Sequence, residues 1–469
     1  MTLLLACFVL LLCGSPAQCL AAGPPPNVTL TVDTSQSLGK IDLTRYALGQ
    51  GGLSDKPMID GVVDQIANLH PQTIRLFVQS YYRIYPAHGR YHWDTLDKAI
   101  ETILATGAKP IMCLTLKPKA LYPKIDQNIV FPTSWKDWDG LIYQLVKHCN
   151  QDKKYGIQYW EVGNEVNIGE EGGTPYLFKP DDYLIYYTHT VNAIRRADPQ
   201  ARVGGPALAG YKSPIVDALL QYCGSGKAPL DFLSWHIYDS DVKEFRRSIE
   251  YMKTKLAKYP RLKGVETVLD EWNMSLSNPD LNPYFQPAFI MENTYDFYQE
   301  GLTRSAYYHI RDYFVDPKNF LISESKAGAD AMEHGWNDEP NYDGLYDNQG
   351  RVRPTYYAFK LLSLIQGERL ALEGTNSEVK GFAARDGQFT EVVFWNYPSG
   401  EEEKTLRVTV RFPFVKEGEF QVAKLNPVSA VNNIEVVRHQ DLSNLTKNPI
   451  QINLRPYEIY WVELEPPGW

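Results

Sequence analysis

Between about residues 45 and 366 the sequence alternates short apolar runs with longer amphipathic segments, and this pattern constrains the fold more than any other feature. One amphipathic segment places Leu96, Ile100 and Ile103 on a single face at helical spacing. Eight strand candidates, each followed by a helix, predict an α/β fold of the (β/α)8 TIM-barrel type. A doubly wound sheet is the alternative, but no glycine-rich G-x-G-x-x-G turn follows any of the runs. The runs are Tyr46–Gly49, Thr73–Phe77, Pro110–Leu114, Ile157–Val162, Arg202–Gly205, Phe232–Ile237, Thr267–Leu269 and Ser305–Ile310.

The sequence pattern changes after Gly367: helical periodicity ends, and short strand-like segments separated by turns follow. These segments predict an accessory C-terminal β-sandwich of about 100 residues beside the barrel. The isolated strand Asn27–Val32 is expected to join it, so that the barrel spans residues 45–367 and the sandwich residues 27–44 plus 368–469. The predicted strands are Glu378–Ala384, Glu391–Tyr397, Thr405–Phe412, Phe420–Leu425, Ile434–Arg438 and Tyr457–Leu464.

The N-terminus has the character of a secretory signal peptide. Leu3–Leu12 is almost entirely apolar, and it is shorter than the roughly 20 residues that a membrane-spanning helix needs. Small residues follow, so we expect removal of residues 1–22 by cleavage near Ala21 or Ala22, and a secreted or periplasmic protein. No Lys or Arg precedes the apolar run, which leaves a buried N-terminal helix as the alternative.

Composition excludes several classes of protein. The 47 basic and 56 acidic side chains give a net charge of −9, which argues against binding to nucleic acid or to an anionic membrane surface. The sequence has no P-loop, H-E-x-x-H or G-x-S-x-G motif, so we expect neither a cofactor nor a metal ion nor a serine nucleophile. Beyond the signal, Cys113, Cys149 and Cys223 are widely spaced and odd in number, which fits buried thiols rather than disulfides. The oligomeric state is left open.

Two of the predicted barrel strands end in glutamates. Active sites in this type of barrel lie at the C-terminal ends of the strands, where Glu165 follows the fourth run and Glu271 follows the seventh. One such glutamate is commonly a cap or an ion pair, but two facing carboxyl groups are what glycosidic cleavage requires. One protonates the leaving oxygen, and the other attacks the sugar or activates water. Arg75 ends the second run and is placed to keep Glu271 anionic, the alternative being a salt bridge at the barrel rim.

Several stretches resemble the clan A retaining glycosidases and, within them, glycoside hydrolase family 39, the β-xylosidase and α-L-iduronidase family. The resemblance extends over about residues 30–465. It departs from the usual Trp-Asn-Glu-Pro of the family, because Gly163 and Val166 flank the Asn-Glu pair, and Gly-Asn-Glu also occurs in arabinofuranosidases and heparanase-like enzymes. The similar stretches are Lys109–Leu121, Tyr155–Glu165, Val203–Ala207, Asp231–Tyr238 and Leu269–Ser275.

The resemblance implies a role for each residue near the pair. Glu165 is expected to be the general acid/base and Glu271 the nucleophile. Asn164 is expected to bind the sugar 2-hydroxyl, with a capping amide as the alternative. His236 and Tyr238 alternate along the sixth strand and are expected to line the nucleophile side, with a core histidine as the alternative for His236.

We therefore expect a secreted, exo-acting retaining glycoside hydrolase, β-xylosidase-like, whose substrate is a carbohydrate from plant or microbial polysaccharide. Trp336, after the eighth run, is either a sugar platform or a loop anchor. Activity like that of an α-L-iduronidase or an arabinofuranosidase is the alternative among enzymes, and an inactive glycan-binding protein is the alternative outside them. A uronic acid requires a cation in the pocket, for which the candidates are Lys117, Lys119, Arg351 and Arg353.

Overall fold

The computed structural model describes residues 25–49, 53–338, 344–398, 400, 403–415, 418–427, 434–441 and 449–465, and the expected signal peptide lies outside them. The first strand, β1 (Asn27–Asp42), belongs to a C-terminal sheet, and the next eight strands close into a parallel barrel. Each run predicted from the sequence corresponds to one barrel strand, so the (β/α)8 prediction is confirmed. The barrel strands are β2 (Tyr46–Gly49), β3 (Thr73–Val78), β4 (Lys109–Leu114), β5 (Tyr159–Val162), β6 (Arg202–Ala209), β7 (Phe232–Tyr238), β8 (Glu266–Asn273) and β9 (Arg304–Tyr308).

Helices surround the barrel. In the described part of the chain they are α1 (Val63–Ala67), α2 (Asp94–Ala105), α3 (Trp135–Lys147), α4 (Pro180–Ala197), α5 (Pro214–Gly224), α6 (Val242–Leu256), α7 (Phe285–Gln299), α8 (Lys326–Asn337) and α9 (Pro354–Leu364). The predicted stripe of Leu96, Ile100 and Ile103 is the buried face of α2. The side chain of Ser134 accepts a hydrogen bond from the backbone N–H of Asp137, which satisfies one free donor at the start of α3. No helix within the described ranges is long and apolar enough to cross a membrane.

The barrel interior is apolar at its base and polar above it. Side chains alternate along β5, so that Trp160 and Val162 pack outward into the main core while Tyr159 and Glu161 point inward. The base of the barrel is a buried layer made of Ile111, Tyr159, Phe232 and Val268. Charged groups therefore begin directly above this layer, toward the C-terminal ends of the strands. The three cysteines Cys113, Cys149 and Cys223 are buried and unpaired, as the sequence predicts.

The accessory β domain takes the form of one mixed sheet, with strand order β15-β14-β17-β12-β11-β10-β1-β13-β16 in the described residues. Leu30, Phe394, Val408 and Val462 come from four of these strands and share one buried core, so the sheet curls over itself. Two strands, β10 and β16, are absent from the sequence prediction. The strands after the barrel are β10 (Gln366–Glu373), β11 (Val379–Asp386), β12 (Phe389–Asn396), β13 (Leu406–Arg411), β14 (Glu419–Leu425), β15 (Ile434–Asp441), β16 (Ile450–Leu454) and β17 (Ile459–Glu465).

The N-terminal strand β1 lies inside the C-terminal sheet. It pairs antiparallel with β10 along one edge and parallel with β13 along the other. The strands β13 and β16 therefore connect to the rest of the sheet through β1.

The sheet packs against the barrel helix α7. Glu292 is 3% exposed, forms an ion pair with Lys380 on β11, and accepts a hydrogen bond from the Trp395 indole at 2.9 Å. The rings of Tyr295 and Trp395 lie edge to face beside this pair, 6.1 Å apart. The barrel and the sheet thus share a buried boundary that contains a charged group.

Candidate active site

A tight turn after β5 brings Glu165 over the barrel mouth. Gly163 has a φ of +97°, a left-handed conformation that glycine adopts without steric cost. Glu165 has a φ of +45°, and its backbone N–H donates to the carbonyl oxygen of Ala207 at 2.7 Å. The turn is therefore fixed against β6.

Two consecutive carboxyl groups on β8 both face the barrel interior. The register with β7 shifts by one residue here, so that His236 pairs with Glu271 and Asp270 is the extra residue. This β-bulge cancels the alternation that would otherwise turn Asp270 away from the side on which Glu271 lies. Asp270 is fully buried.

Arg75 on β3 connects the acidic groups. Its Nε donates to Glu161 Oε2 at 2.7 Å, and its Nη1 donates to Glu271 Oε2 at 2.8 Å. Its Nη2 donates to Asn164 Oδ1 at 2.9 Å and lies 3.1 Å from Asp270 Oδ2. Arg75 is 2% exposed, so water screens these contacts little. Arg75 thus contacts Glu271 in the structure, and its role toward a substrate stays a prediction.

The two glutamates receive unequal support. Glu271 accepts hydrogen bonds from Arg75 and from the Tyr238 hydroxyl, the latter at 2.6 Å. Glu165 has one side-chain partner among the described residues, His236 Nδ1, at 2.9 Å. Burial raises the pKa of Glu165. The hydrogen bond and charge of His236 lower this pKa, and the charge of Glu271 raises it further. Glu165 therefore keeps its proton to higher pH than a free glutamate does.

His236 lies between two carboxyl groups. Its Nδ1 is 2.9 Å from Glu165 Oε1, and its Nε2 is 3.2 Å from Asp270 Oδ2. Burial alone would lower the pKa of His236, but the charges of Glu271 and Asp270 raise it to about 10. The imidazole is thus a cation near neutral pH. Tyr238 lies on the side of Glu271 as expected, whereas His236 makes its closest contact with Glu165.

The carboxyl groups are close together. One oxygen of Glu165, one oxygen of Glu271 and one ring nitrogen of His236 all lie within 4.8 Å of one another. Among the described residues this is the group whose spacing would also suit a metal ion. The hydrogen bonds of these side chains with one another and with Tyr238 account for the closeness. The cluster therefore places two carboxyl groups and one imidazole within reach of a single bound group.

Both glutamates line a cavity of about 250 Å³ at the barrel mouth. Tyr308 and Trp336 form an aromatic wall, with ring centroids 5.6 Å apart, and Trp336 also stacks on Tyr313 at 5.4 Å. Trp336 lies in the last turn of α8 and not in a loop, where the rings of Tyr308 and Tyr313 hold it in place and it faces the cavity. No Lys or Arg side chain of the described residues lines this cavity.

A second cavity of about 420 Å³ lies on the other side of Glu165. Tyr211, Lys212 and Glu244 line it, together with His236. Glu271 lines only the first cavity, whereas Glu165 lines both. The Glu165 carboxyl group therefore stands at the boundary between two spaces that can hold two parts of one substrate.

The cationic candidates for binding a uronic acid lie elsewhere. Lys117 is buried and donates to two backbone carbonyl oxygens. Lys119 lines a separate cavity. Arg351 and Arg353 each pair with an aspartate. The structure does not bring any of these four side chains to the cavity that contains the two glutamates.

Three residues of the site were missed in the sequence. Glu161 carries a signal, because it is a charged residue at an inward position of a barrel strand. Asp270 is hidden by the bulge, and only its place beside Glu271 points to it. Gly172 gives no signal. It lies so close to Glu165 that a β-carbon at this position would fall 2.2 Å from Glu165 Oε2.

The sequence matches the family described as glycosyl hydrolases family 39 over residues 78–399. The chain belongs to this family. It is 29% identical over 310 residues to a β-xylosidase of Caldicellulosiruptor saccharolyticus, covering 60% of this chain and 58% of that protein. It is 25% identical over 342 residues to a β-xylosidase of Geobacillus stearothermophilus, covering 65% of this chain and 62% of that protein. The chain thus spans about three fifths of the length of these curated relatives.

A solved structure of another protein has the same overall fold as this family 39 member. A GH39 enzyme from Xanthomonas axonopodis pv. citri superposes with a TM-score of 0.77 at 18% identity. The superposition covers 96% of this chain and 99% of that one. The barrel and the curled sheet therefore occur together in both proteins.

Proposed function

We propose that the protein is a retaining glycoside hydrolase in which Glu271 is the nucleophile and Glu165 the general acid/base. The observation that carries the proposal is the carboxyl pair, with oxygens within 4.8 Å and with unequal donors. Carboxyl groups of retaining enzymes are about 5–5.5 Å apart, whereas those of inverting enzymes leave about 6.5–9.5 Å for a water molecule. Membership of family 39 supports the same conclusion.

The reaction proceeds in two steps. Glu165 gives its proton to the glycosidic oxygen while Glu271 attacks the anomeric carbon, so the bond to the leaving group breaks as the bond to Glu271 forms. The leaving alcohol departs on the side of the second cavity, which Glu165 also lines. Burial raises the pKa of Glu165, and glycosylation removes the Glu271 charge that reinforces this rise. In the second step Glu165 takes a proton from a water molecule whose oxygen attacks the anomeric carbon, the bond from that carbon to Glu271 breaks, and Glu271 is released as a carboxylate.

We propose a β-xyloside as the substrate, cleaved one sugar at a time from a chain end. Both curated relatives named above are β-xylosidases. A uronic acid would need a cation to neutralise it, and no described Lys or Arg lines the cavity, which disfavours iduronidase-like activity. The volume of about 250 Å³ is below the usual range of about 300–1,000 Å³ for ligand pockets and supports a single sugar residue.

Isosteric substitutions test the two roles. Glu165→Gln and Glu271→Gln are each expected to lower kcat on a xylo-oligosaccharide at least about 10³-fold while leaving the folding transition unchanged. Azide should restore a product of retained configuration in Glu165→Ala, because the glycosyl-enzyme still forms, and an inverted product in Glu271→Ala. Glu250→Gln, on the exposed face of α6, is the matched control. Near-normal rates in either glutamine variant would refute that residue's role.

A panel of aryl glycosides tests the substrate. We expect the highest kcat/KM on the β-xyloside, with lower values on the α-arabinofuranoside and the α-iduronide. Proton NMR of the first-formed sugar should show the retained anomer. A preference for either competing glycoside would replace the proposed substrate, and an inverted product would overturn the double displacement.

We propose that the protein is exported and that residues 1–22 are removed. The support is the apolar run Leu3–Leu12 followed by small residues near Ala21. N-terminal sequencing of protein recovered outside the cytoplasm should begin at residue 22 or 23. Recovery of the chain inside the cell with its first residues intact would contradict export.

A further inference from the structure

A second pair of carboxyl groups lies beneath the catalytic pair. Glu161 and Asp270 are fully buried, and Arg75 contacts both, Glu161 through Nε at 2.7 Å and Asp270 through Nη2 at 3.1 Å. The proposed reaction uses neither carboxyl group. Burying a carboxylate without a neutralising partner is costly, so at least one of these two carboxyl groups is expected to be paired with a cation or to carry a proton.

The charges at the centre of the barrel do not balance if every group is ionised. Four carboxylates would then face one guanidinium and one imidazolium, a net charge of −2 in a region shielded from water. Neutrality requires two protons on the carboxyl groups. The acid function accounts for the proton on Glu165, and one proton remains to be placed. The groups concerned are Glu161, Glu165, Asp270, Glu271, Arg75 and His236.

The hydrogen bonds place this second proton. Asp270 Oδ2 faces two cationic donors, Arg75 and His236. The other oxygens of the pair, Glu161 Oε1 and Asp270 Oδ1, are buried and have no hydrogen-bond partner at ordinary distance among the described residues, although the Ser234 hydroxyl lies beside the Glu161 carboxyl group and favours its charged form. The Glu161 and Asp270 carboxyl groups lie side by side on the Arg75 guanidinium, which contacts one oxygen of each, and are close enough to interact with each other through a hydrogen bond. Two carboxyl groups can share such a bond only when one of them carries a proton.

We propose that Glu161 holds this proton and donates it to Asp270, and that Asp270 thereby remains the anion that keeps His236 charged against Glu165. Burial raises the pKa of Glu161 to about 7; Arg75 opposes this and the charge of Asp270 reinforces it. Burial alone would also raise the pKa of Asp270, but Arg75 and His236 lower it below its usual range. The ionisable or polar groups that face Glu161 are Arg75, Cys113, Tyr183, Ser234 and Asp270.

Glu161 and Asp270 act in this scheme as positioning residues. The charged His236 donates its Nδ1–H to Glu165 Oε1, which leaves Oε2 to carry the proton for the glycosidic oxygen. After that proton has left, the imidazolium faces the Glu165 carboxylate and stabilises it as the base. This role rests on the proposed retaining mechanism, as does the assignment of the other proton to Glu165, whereas the contacts that favour a proton on Glu161 over Asp270 do not.

Infrared spectroscopy of the full chain tests the proton directly. The Glu165→Gln variant removes the catalytic proton, and at about pH 6 its spectrum should still contain the C=O stretch of protonated Glu161. Adding Glu161→Gln should remove that component. Adding Glu324→Gln instead is the matched control: burial raises the pKa of Glu324 well above its usual value, so this change should remove the C=O stretch of Glu324 and leave that of Glu161. No loss of carboxylic C=O intensity on adding Glu161→Gln would overturn the proposal.

Nitrogen NMR of the wild-type chain gives a second measurement, which does not depend on the folding of any Glu161 variant. Both ring nitrogens of His236 should carry protons at about pH 8, and Asp270→Asn should remove one of them. If the chain cleaves glycosides, Glu161→Gln should keep at least about tenfold more kcat/KM than Asp270→Asn, because Gln mimics the protonated acid. A neutral His236 in the wild type, or equal losses in the two variants, would overturn the proposal. If no glycoside is cleaved, the infrared and NMR results still decide the protonation of the pair.

Discussion

Gly172 lies against the carboxylate of Glu165 with no room for a side chain. A β-carbon there would fall 2.2 Å from Glu165 Oε2, so Gly172→Ala should push the carboxyl group out of place. We expect kcat/KM to fall at least about tenfold, because displacement of a catalytic group by about 1 Å is costly. Gly335→Ala is the matched control, since Gly335 lines the same cavity and has no atom within 4 Å of its β-carbon position. Wild-type kcat/KM in Gly172→Ala, measured alongside unchanged thermal unfolding, would contradict this account.

In the proposed mechanism, His236 limits the pH range over which Glu165 can act as an acid. Burial and the charge of Glu271 raise the pKa of Glu165, and His236 lowers it. Glu165 must be protonated to act, so kcat/KM should fall on the alkaline side as it loses its proton. In His236→Asn the lowering contribution is absent, and the alkaline limb should move to higher pH even though the maximum rate falls. The measurement is kcat/KM against pH on a xylo-oligosaccharide, and a limb that moves to lower pH would disprove the assignment.

Among the elements, regular strands were predictable and irregular ones were not. Each barrel strand is a short apolar run followed by a helix, and this pattern can be recognised from the local sequence alone. Asp270 could not be predicted to lie in the site, because alternation along a regular strand would place it on the face opposite Glu271. The β-bulge that brings both side chains to one face arises from the pairing of β8 with β7, which local sequence does not show. The strand β10 was missed because most of its residues are partly exposed and do not alternate. The carboxyl groups at the strand ends were therefore predictable, and the carboxyl pair beneath them was not.

The contact between α7 and β11 depends on one buried ion pair. Lys380→Met keeps the aliphatic stem but leaves Glu292 buried without its cation. We expect the free energy of unfolding to fall by about 2 kcal/mol near neutral pH, less than for a fully enclosed pair because Lys380 is partly exposed. The pKa of Glu292 is already raised by burial, so the folded variant binds a proton more tightly than the unfolded chain. The difference in free energy of unfolding between the Lys380→Met variant and the wild type should therefore become smaller as the pH falls.

Denaturant unfolding of the Lys380→Met variant at about pH 5 and about pH 8 measures this difference. The double variant Lys380→Met with Glu292→Gln is the control. A neutral amide can still accept the hydrogen bond from Trp395, so part of the lost stability should return. A deficit that is equal at both pH values and unaffected by Glu292→Gln would show that packing of the Lys380 stem, and not charge, holds this contact.

At the scale of the whole molecule, a strand that precedes the barrel and strands that follow it form one sheet. The N-terminal strand β1 is hydrogen-bonded between β10 and β13, two strands that follow the barrel in sequence. The sheet in turn covers α7, where Phe285 packs edge to face on Tyr457 at 5.6 Å and Tyr295 packs on Trp395. The sheet is therefore assembled from two separate segments of the sequence, whereas the closed barrel lies within one segment and has its helix α7 covered by the sheet.

Removal of residues 366–469 should accordingly leave no soluble, cooperatively folded barrel. The shortened chain would expose the apolar face of α7 and leave Glu292 without Lys380 or Trp395. It would also leave β1 as an unpaired strand with both edges free, which favours aggregation. A chain that begins at residue 25 and is otherwise complete is the control, because it keeps β1 and every strand that pairs with it. Size-exclusion chromatography and thermal unfolding distinguish the two outcomes, and a truncated chain that eluted as a monomer, unfolded in one sharp transition and cleaved a xyloside would show that the barrel folds without the sheet.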